Sequence, residues 1–399
     1  MADLLRLLRQ LLAASHRARP EDIPALAMQV APLADARELV VYLVDFDQRQ
    51  LRPLPGQDAP ARTPIAVDGT LPGRAFALTQ IYETRDGGAH HLWVPLLDGT
   101  ERLGVLEAVT DAVSEHHRRD LPTVASLMAE LLMTRRAYGD AVELTRRSLP
   151  MQLAAEVLWN LLPPLTFIGR DVSISAALEP CYDVGGDAFD YAVNGDTLHL
   201  AIFDSVGHGI DASTVTSLAV NAYRNARRCG LDLAAIYRSI DNWIALKHPQ
   251  TFVTAALLEL NAVTGTLRRI SAGHPGELLL RDGNFVRELV APTALPLGLA
   301  RRYGRIPTVA EEALQPGDQI LLYSDGVVEA RTEDGEFFGT TRLVEFITRA
   351  LADQLSAPET MRRLVHAILE HQHEQLQDDA TAVLVEWRPA AAPTADPPV

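Results

Sequence analysis

The chain has 399 residues with 52 acidic against 36 basic side chains, a formal net charge of −16 and a pI near 5.2. That length admits roughly two to three domains of ordinary size, each able to bury its own core. A hydrophobic share of 47% with 22% charged residues is globular rather than disordered or fibrous, and the acidic balance argues against a nucleic-acid surface, which needs basic side chains to displace counterions.

The N-terminal MADLLRLLRQLLAASHRAR places leucines at helical spacing, while Arg6 and Arg9 break any signal-peptide core. It reads as an amphipathic helix packed on its own domain rather than on a membrane. No stretch reaches the ~18 uninterrupted apolar residues of a membrane span. Cys181 and Cys229 are the only cysteines and lack zinc-like spacing, so they read as reduced thiols of a cytoplasmic protein. Lys247 is the only lysine.

From residue 20 the pattern predicts a helix in EDIPALAMQVAPL, a buried strand in ELVVYLVDF, and two strands in HHLWVPLLDGTERLGVLEAV joined at Asp98-Gly99. EHHRRDLPTVASLMAELLM follows as a helix with Val124, Leu127, Met128 and Leu131 on one face. With GTLPGRAFALTQ and VPLLDGTERLGVLE, this order resembles a GAF-like sensory domain over residues 1–135. The resemblance implies either a small-ligand site or a role in dimerisation or docking.

Residues 136–164 read as a helical linker. A stripe from Val124 through Met128, Leu131, Arg135, Tyr138, Val142 and Thr145 to Leu149 has heptad-like spacing, which fits an ordinary packed helix or a parallel homodimer helix equally. After Pro150, MQLAAEVLWNLLPP predicts a short helix stopped by Pro163 and Pro164.

From Ile168 the chain turns to strands. DVSISAAL alternates as a half-buried strand should, and DTLHLAIFD is apolar on both faces. DASTVTSLAVNAYRNARRCG predicts a helix capped by Asp211 or Ser213 and ended by Gly230. TFVTAALLEL, GTLRRISAG, GELLLRDG, DQILLYSDG and ATAVLVEW supply further strands. Many strands with a few long helices indicate an α+β layered sandwich rather than a doubly wound sheet. The final RPAAAPTADPPV, residues 388–399, predicts a disordered tail, set from residue 389.

Four acidic positions recur at strand ends beside turns: Asp187 after Gly185-Gly186, Asp204, Asp325, and the pair Asp378-Asp379. Carboxylates gathered together repel and raise one another's pKa, so a divalent cation is their natural neutraliser. Oxygen-only ligands favour Mg²⁺ or Mn²⁺ over zinc.

Residues 165–388 resemble the SpoIIE-like bacterial branch of the PPM (PP2C-type) serine/threonine phosphatases. The resemblance rests on Val184-Gly185-Gly186-Asp187, Asp204-Ser205-Val206-Gly207-His208-Gly209, Thr251-Phe252-Val253-Thr254-Ala255, Ala272-Gly273-His274-Pro275, Pro296-Leu297-Gly298, Tyr323-Ser324-Asp325-Gly326 and Asp378-Asp379-Ala380-Thr381. It implies a PP2C-like α-β-β-α sandwich and a centre of two Mn²⁺ or Mg²⁺ ions. Asp204 would bridge both ions, with the Ser205 carbonyl completing the first site. Asp187, Asp325 and Asp378 would hold the second, Asp379 being the weaker choice of its pair. Asp204 and Asp187 are the catalytic candidates, acting on a water activated by the two metals.

The resemblance further implies a phosphoserine or phosphothreonine substrate on a STAS-type anti-sigma-factor antagonist of a partner-switching pathway. Val206 stands where eukaryotic relatives carry a candidate general-acid histidine, so that role is not carried over. His208 reads as a helix-entry residue, His274 as fixing the turn before Pro275, and His366, His371 and His373 as solvated on a polar helix. Two other readings stand beside this one: a catalytically weak partner-binding module of the same fold, and a phosphoesterase for small molecules.

Overall fold

The computed structural model describes residues 2–179, 181–183, 185–373 and 378–389. Val184 of the glycine motif and residues 390–399 of the expected tail lie outside the described residues. The chain divides into two compact units, Met1–Pro150 and Met151–Val399.

The first unit contains helices α1 (Ala2–Ser15), α2 (Ile23–Val30), α3 (Leu71–Leu78), α4 (Glu115–Arg135) and α5 (Ala141–Arg146). Its strands are β1 (Glu38–Val44), β2 (Gln50–Pro53), β3 (Ile65–Ala66), β4 (Tyr82–Asp86), β5 (Ala89–Asp98) and β6 (Glu101–Thr110), an antiparallel sheet in the order β3-β2-β1-β6-β5-β4. The unbroken apolar run of β1 follows from a sheet covered on both faces. Leu39, Val41 and Leu43 join Leu7, Leu11, Ile23 and Met128 in one core, and Val40, Tyr42 and Val44 join Phe76 and Trp93 in another, as the two-residue period of a strand requires. The amphipathic α1 thus packs on its own domain.

The heptad-like stripe does not run as one helix to Leu149. Helix α4 ends at Arg135, and the backbone is extended at Gly139 before α5 begins. Val124, Met128, Leu131 and Val142 are buried in the first unit's own core, while Tyr138 and Leu149 are exposed.

In the second unit α6 (Leu153–Trp159) precedes β7 (Thr166–Ile168), β8 (Val172–Glu179), β9 (Asp187–Asn194) and β10 (Thr197–Ser205). Helices α7 (Gly209–Arg228) and α8 (Leu233–Lys247) lead to β11 (Val253–Asn261), β12 (Thr266–Ala272), β13 (Glu277–Arg281) and β14 (Asn284–Leu289). Then come α9 (Ala300–Tyr303), β15 (Ala310–Ala313), β16 (Gln319–Tyr323), α10 (Asp325–Glu329), α11 (Gly339–Ala352), α12 (Ala357–His371) and β17 (Ala380–Trp387). One sheet runs β15-β12-β11-β10-β9 and the other β14-β13-β16-β17-β8-β7.

Three cores define the layers. Ala219, Tyr223, Ile236 and Ile240 of α7 and α8 pack on Phe203 and Leu257 of the first sheet. Ile202, Leu258, Ile320 and Val383 fill the space between the sheets. Leu343, Leu364 and Ile368 of α11 and α12 cover the outer face of the second sheet beside Leu321 and Leu384. The unit is the expected four-layer α-β-β-α sandwich.

This layering corrects three local expectations. Strand β8 is almost wholly buried rather than half-buried, because a sheet covers one face and helices the other. Helix α7 starts at Gly209 with His208 as its N-cap residue, ahead of Asp211 and Ser213. Helix α12 is core-lining rather than polar throughout; His366 is half-buried beside Arg362, and His371 packs edge-on to Phe338. Neither cysteine is in a disulfide, and no helix among the described residues is long and apolar enough to cross a membrane.

The first unit also buries a carboxylate whose charge is incompletely compensated. Asp45 is 0% exposed; its Oδ1 accepts the Arg49 and Gln50 N–H groups at 2.9 Å each, and its Oδ2 has no hydrogen-bond partner. Burial, reinforced by Asp47, pushes its pKa up to about 7. Between the unfolded value of 3.8 and about 7 the folded chain binds the extra proton, so stability falls as pH rises through that window. Asp45→Asn keeps the accepting oxygen without the charge. Its stability relative to the parent should therefore grow from about pH 5 to about pH 8, with a slope of up to about 1.4 kcal/mol per pH unit below the folded-state pKa. Urea unfolding of both proteins at the two pH values measures this; an equal difference at both would mean that Asp45 titrates normally.

Candidate metal centre

Strand ends bring the acidic residues together. Asp187 opens β9 and stands directly opposite Asp204, near the end of β10, in the antiparallel register. Asp325 opens α10 immediately after β16, and Asp378-Asp379 lead into β17, which pairs with β16 in the other sheet. Each sheet therefore delivers carboxylates to one shared edge of the sandwich.

Asp379 does the joining. Its Oδ2 accepts the backbone N–H groups of Gly185, Gly186 and Asp187 at 2.9, 2.6 and 3.1 Å. Hydrogen bonds to a charged acceptor are the strong kind, so this side chain is occupied in holding the glycine turn. The turn itself needs the absence of side chains: a Cβ on Gly185 would lie 2.4 Å from the Gly209 nitrogen, and one on Gly326 would lie 2.0 Å from the Asp379 carbonyl oxygen. Thr216 donates to the Gly186 carbonyl at 2.5 Å, tying the turn to α7 as well.

The remaining carboxylates have less help, with Thr254 acting on Asp204 and the Ser324 and Thr381 side chains on Asp187. Burial pushes Asp204 up to about 7, and Asp325 and Asp378 add to the rise. Asp187 is raised well above its usual value by burial and then by Asp204 and Asp379, and its Oδ2 is a buried oxygen with no hydrogen-bond partner. Burial and then Asp378 raise Asp325. Asp378 is exposed at the rim. Among the described residues no three acidic, histidine or cysteine side chains close into a ready-made ligand cage; the carboxylates stand within electrostatic reach of one another without touching. A partnerless buried oxygen, mutual repulsion and an all-oxygen donor set fit a hard divalent cation. Asp204 and Asp378 each accept one hydrogen bond on one oxygen, whereas one oxygen of Asp379 is taken up by three backbone donors.

Other predicted residues take different places. The Ser205 hydroxyl donates inward to the Ala212 carbonyl at 3.1 Å, so only its backbone could serve the centre. His208 is exposed at the entry of α7. His274 is buried, accepts Ser271 through its carbonyl, and also lies 3.0 Å from Thr254, whose hydroxyl donates to Asp204 at 3.3 Å. Sequence reasoning gave Thr254 no role; its place opposite Asp204 in the β10–β11 register is the signal that would have found it. Beside the cluster a groove of about 400 Å³ is lined by Val206, Asp211, Thr214, Lys247, His248 and Gln250.

A family model described as Stage II sporulation protein E (SpoIIE) matches residues 194–388, taking in Asp204, Asp325, Asp378 and Asp379. Residues 194–388 form a SpoIIE domain. In class this is a PP2C-type (PPM) serine/threonine phosphatase domain. The chain is similar to phosphoserine phosphatase RsbU of Bacillus subtilis (strain 168), 27% identical over 237 residues, 59% of this chain and 69% of that protein. Protein IcfG of Synechocystis sp. is 22% identical over 267 residues, 59% of this chain and 41% of that one. Among solved structures, the SiaA-PP2C domain of Pseudomonas aeruginosa is 24% identical with a TM-score of 0.49, covering 59% of this chain and 94% of that one.

The two neighbouring aspartates of the SpoIIE domain should separate on mutation. Asp379→Ala orphans three backbone N–H groups, at about 1–3 kcal/mol for each left buried, while Asp379→Asn keeps an accepting oxygen and should retain most Mn²⁺ binding. Asp378→Asn should lose Mn²⁺ affinity with little change in unfolding temperature. Calorimetric titration with Mn²⁺ and thermal unfolding of the three variants measure both, and the opposite ranking would exchange the two roles.

Proposed function

We propose that the protein is a metal-dependent phosphoserine/phosphothreonine protein phosphatase whose substrate is a STAS-type anti-sigma-factor antagonist. The observation that carries this reading is the meeting of Asp187, Asp204, Asp325 and Asp378 at one sandwich edge of a SpoIIE domain. Asp204 would be shared by two Mg²⁺ or Mn²⁺ ions, with the Ser205 carbonyl on the first and Asp187, Asp325 and Asp378 on the second. When bound, such ions supply charge neutralisation, orientation of the phosphoryl group and an acidified water. The chain's part is to hold the carboxylates against their own repulsion and to aim them. Asp379 fixes the glycine turn that carries Asp187, and the β9–β10 register sets Asp204 beside it.

Control by the first unit is part of the proposal. Helix α6 buries Ala155 and Leu158 against α7 and α8. Trp159 Nε1 donates to the Cys181 carbonyl at 2.7 Å and the Gln152 N–H to that of Tyr182 at 2.9 Å, a few residues ahead of the turn that carries Asp187. A shift of α6 would therefore reach the metal ligands through a short stretch of backbone. The first unit is read as a GAF-like sensor, and its cavity of about 600 Å³, lined by Leu7, Leu33, Asp35, His117 and Val124 among others, is of a size for a small ligand. Exposed Tyr138, Leu144 and Leu149 mark the stretch proposed to pair in a homodimer.

The test is Mn²⁺-dependent phosphate release from a phosphorylated STAS protein, set against a generic aryl phosphate. The phosphoprotein should be strongly preferred, and Asp204→Asn should bring its turnover to background while the chain stays folded. Equal turnover of both substrates would favour a small-molecule phosphoesterase. No turnover of either would favour a binding module.

A further inference from the structure

Asp204 does not stand alone on the floor of the centre. Thr254 faces it across the β10–β11 ladder, and the Thr254 hydroxyl donates to Asp204 Oδ2 at 3.3 Å. The same hydroxyl oxygen lies 3.0 Å from His274 Nδ1. His274 is 7% exposed, and its backbone is anchored where the Ser271 hydroxyl donates to its carbonyl. The turn that carries it is bridged to both neighbours, Gly273 to Ala255 and Ala272 to Ala294.

We propose that Thr254 and His274 form a positioning relay that fixes the Asp204 carboxylate in its orientation toward the metal ions. The relay rests on the reading of Asp204 as the shared cation ligand and adds two residues to it.

Proton counting gives the chain a direction. An ionised carboxylate can only accept, so the single Thr254 proton must point at Asp204. The Thr254 oxygen then has only lone pairs for the ring, and His274 must present Nδ1–H to it. That assigns the tautomer, with Nε2 bare. A bare nitrogen is consistent with an Nε2 that has no hydrogen-bond partner, since a buried unpaired N–H is the costlier orphan. Burial keeps the ring neutral, lowering its pKa to about 3, against a smaller opposing pull from hydrogen bonding toward the Tyr323 backbone. A neutral ring adds no positive charge that would compete with cations held by Asp204.

The consequence is a division of labour within one carboxylate. Oδ2 is tethered from behind, which holds the plane of the group and leaves Oδ1 and the remaining lone pairs for the ions. Outer-shell hydrogen bonds of this kind fix ligand orientation, and their loss typically weakens metal affinity by about 10–100-fold.

The experiment compares variants that keep or remove each link, in the full chain. Thr254→Val preserves shape without the hydroxyl, and Thr254→Ser restores it. His274→Leu removes the donor, while His274→Asn places an amide N–H near the former Nδ1. Mn²⁺ binding followed by electron paramagnetic resonance gives a readout independent of turnover, alongside phosphate release. Thr254→Val and His274→Leu should each weaken Mn²⁺ binding about 10–100-fold, Thr254→Ser and His274→Asn should recover most of it, and the double variant should be little worse than either single one, as for links in series. Folded Thr254→Val with parental Mn²⁺ affinity would overturn the relay. Asp204→Asn separates the two levels: if it abolishes Mn²⁺ binding while Thr254→Val does not, the relay fails and the ligand assignment stands; if Asp204→Asn itself binds Mn²⁺ normally, the assignment fails and the relay with it.

Discussion

The second unit is governed by a charge problem that it creates for itself. Two sheets end at a common edge and deliver Asp187, Asp204, Asp325 and Asp378 there, and for the first three burial and like charge both disfavour ionisation. A carboxyl that takes up a proton relieves the repulsion but loses its value as a ligand. The alternative relief is an external positive charge, and three apolar cores surround the edge that would receive it. The acidic edge is thus a cost carried by the core around it.

The aspartates at the edge meet that problem differently. Burial raises Asp379 too, but three backbone donors on one of its oxygens pull the other way, which sets it apart from its neighbour Asp378. Adjacent residues of the same type are thereby split into one that builds the turn and one that stays available. The same division appears on a smaller scale within Asp204, one of whose oxygens is engaged by Thr254. Ser205 shows it again, with the hydroxyl turned into the fold and the backbone left at the edge.

Much of this was legible in the sequence. Apolar runs ending in Asp beside Gly marked the strand ends, the strand and helix order indicated a layered α+β sandwich, and the family resemblance implied two sheets between helices. What the linear pattern could not carry were properties that arise between elements. Strand β8 alternates polar and apolar residues yet is buried on both faces, because its surroundings are set by a second sheet and by α12. The start of α7 at Gly209 rather than near Asp211 follows from the glycine turn packed against it, visible in the Gly185 contact to Gly209. The heptad-like stripe beyond Arg135 was a coincidence of spacing, since Gly139 interrupts the helix and Val142 turns into the local core. The hold of Asp379 on the glycine turn was invisible in the sequence because the residues it bonds lie far away in the chain.

That distance has a consequence for how the protein is made. The bonds from Asp379 to residues 185–187 span 192 to 194 positions, and β17, which follows Asp379, sits in the middle of its sheet between β16 and β8. Contacts of such long range form late in folding, and a chain leaving the ribosome offers its N-terminal segments first. Through most of synthesis the glycine turn has no acceptor and the second sheet lacks an inner strand. The acidic edge therefore assembles only after residue 379 has emerged and docked, so a nascent or C-terminally clipped chain has no formed site with which to act.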